Sequence, residues 1–183
     1  MDLGLRDRVA IVAAASRGLG KACAMELARE GARVVICARN EGELIATVEE
    51  IRSATGADVR YLVVDLTDDA QIRHLANETL RRYSRIDILV TNNGGPPPGY
   101  FDDLDDAAFQ TGHERTLLSA VRLIRSVLPA MRVQRWGRIV NITSISVKEP
   151  IDDLLLSNVY RAGVVGLAKT LSRQVAADGN TSE

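Results

Sequence analysis

The stretch that most constrains this chain is Val9 to Gly20, VAIVAAASRGLG. Val9, Ala10, Ile11 and Val12 form an uninterrupted apolar run, the pattern of a strand buried on both faces. Gly18 and Gly20 then open a segment with helical apolar spacing, so the order is strand, tight turn, helix. A helix entered this way aims unpaired backbone N–H groups and the positive end of its dipole at the turn, and glycine removes side chains that would hold a phosphate away. The turn is a candidate dinucleotide site. Two glycines two apart equally suit a plain strand-to-helix turn, so the rest of the chain has to decide.

The same alternation runs on. Leu19, Cys23, Leu27 and Ala28 fall on one helical face that ends at Gly31, and a second buried strand spans Val34 to Cys37. Asn40 can cap a helix with Glu43 three residues on, and Leu44, Val48 and Ile51 make its apolar stripe before Gly56. Val59 to Val64 reads as the third strand. Thr67, followed by Asp68 and Asp69, starts a helix whose Ile72, Leu75, Leu80 and Tyr83 face inward. The fourth strand, Ile86 to Thr91, runs into the loop NNGGPPPG. A long helix from about Asp106 to Met131 carries Leu117, Val121, Ile124, Val127 and Leu128 on one face; Ile139 to Thr143 is the fifth strand, and a last helix runs from about Asp153 to Val175.

Strands alternating with helices across short turns imply parallel pairing with right-handed crossovers. The expected fold is α/β, a Rossmann-type doubly wound parallel sheet in three αβα layers, one domain over residues 1–183. Ligands of such sheets bind beyond the carboxyl ends of the strands, so the informative loops follow Val12, Cys37, Val64, Thr91 and Thr143.

At 183 residues, 46% hydrophobic and 26% charged, the chain is long enough to bury a core of that kind. A formal net charge of −1 provides no global field to draw nucleic acid or an anionic membrane surface. No apolar run approaches a membrane span and the charged start MDLGLRDR does not read as a signal peptide, so the expected location is the cytoplasm. Cys23 and Cys37 lack metal-ligand spacing and read as reduced, buried thiols. His74 and His113 have no partner at metal spacing, so no metal site is expected. Asp102, Asp103, Asp105 and Asp106 read as a solvated helix start.

With these elements placed, four spaced motifs agree: AAASRGLG, VVDLTD with Asp65, NNGG, and WGRIVNITS followed by RAGVVGLAKTLS. Over roughly residues 5 to 179 the chain resembles the short-chain dehydrogenase/reductase family, closest to its 3-oxoacyl-acyl-carrier-protein-reductase-like members. The resemblance implies hydride transfer between a nicotinamide cofactor and a small carbonyl or alcohol substrate, and a homo-oligomer formed through the two long C-terminal helices. It implies cofactor contacts at Ala14, Ser16, Arg17, Gly18, Leu19, Gly20, Arg39, Asp65, Leu66, Asn92, Gly94 and Arg161.

Members of the family use a serine to polarise the substrate oxygen, a tyrosine to pass the proton, a lysine four residues later, and an asparagine supporting a water relay. Aligned through GRIVNITS and RAGVVG, these positions hold Ser144, Ser157 and Arg161, and the asparagine position falls at Thr116. Ser157 is a poor acid, because an aliphatic hydroxyl starts well above the tyrosine pKa of about 10. Arg161 keeps the positive charge with a different reach. Tyr160 lies on nearly the same helical face and is a candidate displaced donor, or a tyrosine packed in a helix interface.

Two further departures concern the cofactor turn and the ending. Ala14 replaces the first family glycine and is accommodated if its φ is negative; in NNGG, Gly94 replaces an alanine. Ala38, Arg39 and Asn40 end the second strand without a carboxylate to repel a phosphate, so Arg17 and Arg39 point to NADP. After the last helix the chain reads DGNTSE, where the family continues with further strands. That predicts a sheet lacking its usual last strands, with the fifth strand bare at one edge. The expected function is an NADP-dependent reductase or dehydrogenase; the alternatives are a nucleotide-binding or interaction protein with impaired chemistry, and an inactive fragment.

Overall fold

Each of the five apolar runs becomes a strand of one parallel sheet, because each can bury side chains in both directions. The computed structural model describes residues 3–183. In chain order the main elements are β1 (Val9–Val12), α1 (Gly18–Arg29), β2 (Arg33–Ala38), α2 (Glu41–Thr55), β3 (Val59–Val63), α3 (Asp69–Tyr83), β4 (Ile88–Thr91), α4 (Asp106–Gly112), α5 (Ser119–Gln134), β5 (Gly137–Asn141), α6 (Leu155–Val175) and β6 (Asn180–Ser182). The strands lie in the order β3-β2-β1-β4-β5-β6 and all pair in parallel.

The register sets Ile11 beside Val35 on one side and Leu89 on the other. These side chains pack with α3, α5 and α6 through Ile72, Leu75, Leu123, Val127 and Leu171. On the opposite face Ala10, Val12, Val34, Ile36, Ile88 and Val90 pack with Ala24, Ala28, Leu44 and Val48 of α1 and α2. Strand residues that alternate between two helical layers have no polar face to show, hence the continuous apolar runs. The chain winds outward from β1 through β2 to β3, then crosses to β4 on the other side of β1. That reversal parts the loops after β1 and β4 and leaves a crevice at their carboxyl ends.

Several boundaries differ from expectation. The long helix is interrupted: α4 ends at Gly112, His113–Leu118 take a π-type turn, and α5 resumes at Ser119. A one-residue widening of a helical turn leaves the apolar stripe nearly intact, so spacing does not reveal it. Asp68, not Thr67, caps α3 by accepting from the Ala70 and Gln71 backbone N–H groups. Leu19, expected inward, is 66% exposed, and α1 buries Gly20, Ala24 and Ala28 instead.

The expected bare edge of β5 is also corrected. Asn180–Ser182 adds β6 beside Gly137–Ile139, and the Glu183 N–H donates to the Ile139 carbonyl at 2.9 Å. Three polar residues carry no apolar signature, and the left-handed turn that brings them in rests on Gly179 at φ 77°.

Cys37 is buried as expected, whereas Cys23 is only half-buried. Both cysteines are free; burial pushes the Cys37 thiol up to about 12 and raises that of Cys23. Asp105 caps α4 by accepting from the Ala108 N–H, with Asp102 and Asp103 exposed before it. His74 is exposed, His113 meets the Tyr160 ring edge-on, and no group of three or more metal-ligating side chains occurs among the described residues. Among those residues no helix is long and apolar enough to cross a membrane.

Candidate functional site

The carboxyl ends of the first five strands open on one cleft of about 590 Å³. Ala14, Ser16, Arg17 and Leu19 line it from the turn after β1, and Ala38, Arg39, Asn40 and Glu43 from the end of β2 and the start of α2. Val64, Asp65, Leu66 and Thr67 follow β3, Asn92, Asn93 and Gly94 follow β4, and Ile142 and Thr143 follow β5. Arg115 and Arg161 reach in from the helical layer. Of the expected cofactor residues, Gly18 and Gly20 alone do not line this cleft, although both shape it.

The turn after β1 is held from two sides. The Ala13 N–H donates to the Val90 carbonyl of β4 at 3.0 Å, and the Ala15 N–H donates to the Cys37 carbonyl of β2 at 3.1 Å. Ala14, between them, takes φ 47°, not the negative φ expected. A left-handed alanine costs about 1–2 kcal/mol, and its tethered neighbours impose it. The Asn92 amide then donates to the Ala14 carbonyl at 3.2 Å, joining the β1 and β4 loops across the crevice. Gly20 packs against this joint: a Cβ there would lie 2.6 Å from the Ala14 carbonyl oxygen and 2.9 Å from the Asn92 amide nitrogen.

The N-terminus of α1 opens on the cleft with no side-chain cap and no acidic residue in its first turn. By contrast Asn40, Asp68 and Asp105 cap α2, α3 and α4. The N–H groups of α1 are therefore left for an anion, and glycine at position 18, with nothing within 4 Å of its absent Cβ, leaves room for one. These residues fit a dinucleotide diphosphate.

Charge along the cleft is mixed. Four arginines, Arg17, Arg39, Arg115 and Arg161, face two carboxylates, Glu43 and Asp65. The Thr67 backbone N–H donates to the Asp65 carboxylate at 2.9 Å and its hydroxyl at 2.8 Å. That backbone bond first, then the hydroxyl and the fields of Arg39 and Arg115, hold Asp65 below the usual carboxylate range against the rise from partial burial. Glu43 corrects the expectation of a corner without a carboxylate. Its carboxylate accepts from the Ser16 hydroxyl at 2.8 Å and lies 3.9 Å from the Arg17 guanidinium.

At the other end of the cleft the arrangement is sparser. Arg161, on α6, donates from one Nη to the Ile142 carbonyl at 3.0 Å and from the other to the Asn93 side-chain oxygen at 3.4 Å. Burial lowers its pKa, yet a guanidinium stays charged at neutral pH. Ser144 and Ser157 do not line the cleft: the Ser144 oxygen accepts from the Ser146 N–H at 3.1 Å, and Ser157 is 8% exposed on α6.

Tyr160 is not a displaced donor. Its hydroxyl donates to the Phe109 carbonyl of α4 at 2.9 Å and its ring packs on Gly112 and His113. Three residues turn a helix by about 300°, enough to swing Tyr160 from the Ser157 direction onto α4. Thr116 is buried in the π-type turn with its hydroxyl unpartnered, while its carbonyl accepts from the Asn93 amide at 3.5 Å.

Sequence reasoning missed Asn93, Arg115, Thr143 and the reach of Glu43. Asn93 stood in the NNGG motif beside Asn92; Arg115 sits in the π-type turn, which has no signature. Glu43 was visible only as the helix-cap partner of Asn40. Its contact with Ser16 depends on how α2 lies over the first turn.

The sequence model of the short chain dehydrogenase family matches residues 8–180. The chain is 37% identical over 175 residues to a ketoacyl reductase assigned to the granaticin polyketide synthase of Streptomyces violaceoruber, covering 94% of this chain and 64% of that one. It is 31% identical over 179 residues to the 3-oxoacyl-(acyl-carrier-protein) reductase of Escherichia coli, covering 98% and 72%. Among solved structures, L-sorbose reductase from Gluconobacter frateurii with NADPH and L-sorbose superposes with a TM-score of 0.95 at 29% identity, over 98% of this chain and 68% of that one. The chain thus spans just under two thirds of the granaticin relative's length.

Proposed function

The chain belongs to the short chain dehydrogenase family, and from that premise we propose that it is an NADP-dependent oxidoreductase acting on a carbonyl or alcohol substrate, of the 3-oxoacyl reductase type. The observation that carries this reading is the uncapped N-terminus of α1 opening into the cleft beside Arg17 and Arg39. Support also comes from the NADPH complex of the sorbose reductase and from the ketoacyl and 3-oxoacyl reductases among the relatives.

In the proposed arrangement the N–H groups of α1 hold the diphosphate, and Ser16, Arg17 and Arg39 meet the 2′-phosphate. Asp65 and Leu66 after β3, and Asn92 and Gly94 after β4, would line the rest of the dinucleotide's path. Arg161 holds ribose hydroxyls. NADPH held there would supply a hydride for a carbonyl carbon, and a proton would complete the alcohol. Ser144 accepts from the Ser146 N–H through its oxygen and keeps its O–H for donation, but it lies outside the cleft lining and would have to turn inward to reach a substrate oxygen. Ser157 and a water are comparably weak acids, so the proton would come from solvent through either one, with the Arg161 charge favouring the anion left behind. A cytoplasmic location and pairing of two copies through the long C-terminal helices belong to the same proposal.

The second reading is a nucleotide-binding or interaction protein with impaired chemistry, favoured by one observation: no tyrosine lines the cleft. Fluorescence titration of folded protein with NADPH and NADH, followed by a screen of 3-oxoacyl thioesters and simple ketones, separates the two. Saturable, NADPH-preferring binding with NADPH consumption supports the oxidoreductase. Binding without turnover supports the second reading, and tighter binding of NADH contradicts the NADP assignment.

A further inference from the structure

We propose that Glu43 is an internal counter-anion that weakens the grip of this cleft on a 2′-phosphorylated dinucleotide and so sets its discrimination against the unphosphorylated one. The inference rests on the dinucleotide reading of the cleft.

Glu43 stands three residues after the cap Asn40, the position from which a glutamate commonly turns back to the cap's own N–H. Here the Asn40 side chain accepts from the Glu43 N–H at 3.0 Å, but the Glu43 carboxylate does not return to Asn40. It crosses to the first turn and takes the Ser16 hydroxyl at 2.8 Å, with the Arg17 guanidinium at 3.9 Å. One carboxylate therefore engages two of the three side chains proposed to meet the 2′-phosphate. Arg39, the third, faces Asp65 through space.

A phosphate entering this corner has to take the Ser16 proton and the Arg17 charge from Glu43, and it then stands beside that carboxylate. A ribose hydroxyl entering the same corner meets no such repulsion and can donate to Glu43. The penalty falls on the phosphorylated ligand alone. The Glu43 side chain is 40% exposed and that of Arg17 84% exposed, so water and salt screen the effect. Removing the charge is expected to change affinity by about three- to fivefold, the range of a partly exposed ion pair.

A structural alternative shares the same contacts. The Thr47 hydroxyl donates to the Ser16 carbonyl at 2.8 Å, so α2 already clamps the turn, and Glu43 would be a second clamp. Glu43→Gln separates the two roles, because its amide oxygen still accepts from Ser16 while the charge is gone.

The test is calorimetric titration of NADPH, NADH and 2′,5′-ADP into the wild-type chain, Glu43→Gln and Glu43→Ala, with thermal midpoints confirming that each is folded. The expected result is that Glu43→Gln binds NADPH and 2′,5′-ADP about three- to fivefold more tightly at low salt, with the NADPH-to-NADH ratio rising and the gain shrinking as salt is added. An unchanged ratio in Glu43→Gln, or equal weakening of both dinucleotides in Glu43→Ala with no gain in Glu43→Gln, makes Glu43 a clamp and overturns the inference alone. A folded wild type that binds none of the three ligands overturns the dinucleotide reading, and this inference with it.

Discussion

The two ends of the cleft are built to different standards. At the glycine-turn end the backbone is tied down: Ala13 and Ala15 hold the turn to β4 and β2, Asn92 bridges to Ala14, and α1 keeps its N-terminus uncapped. At the α6 end, one half-buried guanidinium spans the Ile142 carbonyl and Asn93, and neither Ser144 nor Ser157 lines the cleft. On the proposed reading, phosphate recognition by backbone tolerates side-chain change, because it depends on the course of the chain. Proton transfer depends on one side chain with a suitable pKa, and a single substitution removes it.

The strongest way to break this comparison is at Arg161. Arg161→Ala is expected to lower any turnover by about a hundredfold or more, as loss of a fixed charge at a reacting centre does, while 2′,5′-ADP affinity stays within twofold, roughly the scatter of a distant site. Steady-state rates beside calorimetry check both halves. A mutant that loses 2′,5′-ADP binding as well would merge the two ends into one.

Gly20→Ala probes the other end. Its methyl would press on the Ala14 carbonyl and Ala15 Cα, so a stability loss of about 1–3 kcal/mol is expected by denaturant titration. Dinucleotide binding should fall with it, since the same joint holds the turn. Ala14→Gly has the opposite sign. Relief of the left-handed alanine should raise stability by about 1 kcal/mol, less the entropy that glycine gains when unfolded.

The smallest expected effect is a pH dependence at Asp65. Its folded pKa is held below the ordinary carboxylate value, so its stabilisation is fully present above that value and is lost as pH falls through the lowered one. Thermal midpoints of Asp65→Asn should therefore lie below wild type at neutral pH and converge with it in acid. Convergence at high pH instead would reverse the sign.

Most of the fold was legible because it rests on long apolar runs and helical spacing, as at Ile11, Val35 and Leu89. The glycine-turn end was legible for the same reason: glycines and strand ends mark backbone geometry. What escaped depended on side chains crossing between elements. Glu43 reads as a helix-cap partner until α2 is laid over Ser16, and Tyr160 reads as a neighbour of Ser157 until α4 takes its hydroxyl. The strand Asn180–Ser182 escaped because its polar residues are recruited by the free edge of β5 and by no pattern of their own.

In the proposed site the glycine-turn end carries the binding and the α6 end adds little to it. Calorimetric titration of the folded chain with NADPH and, in parallel, with 2′,5′-ADP tests this most directly. Both are expected to bind at one site per chain and within about tenfold of each other, a difference of about 1.4 kcal/mol. NADPH binding with no detectable binding of 2′,5′-ADP would contradict it, placing the affinity at the Arg161 end.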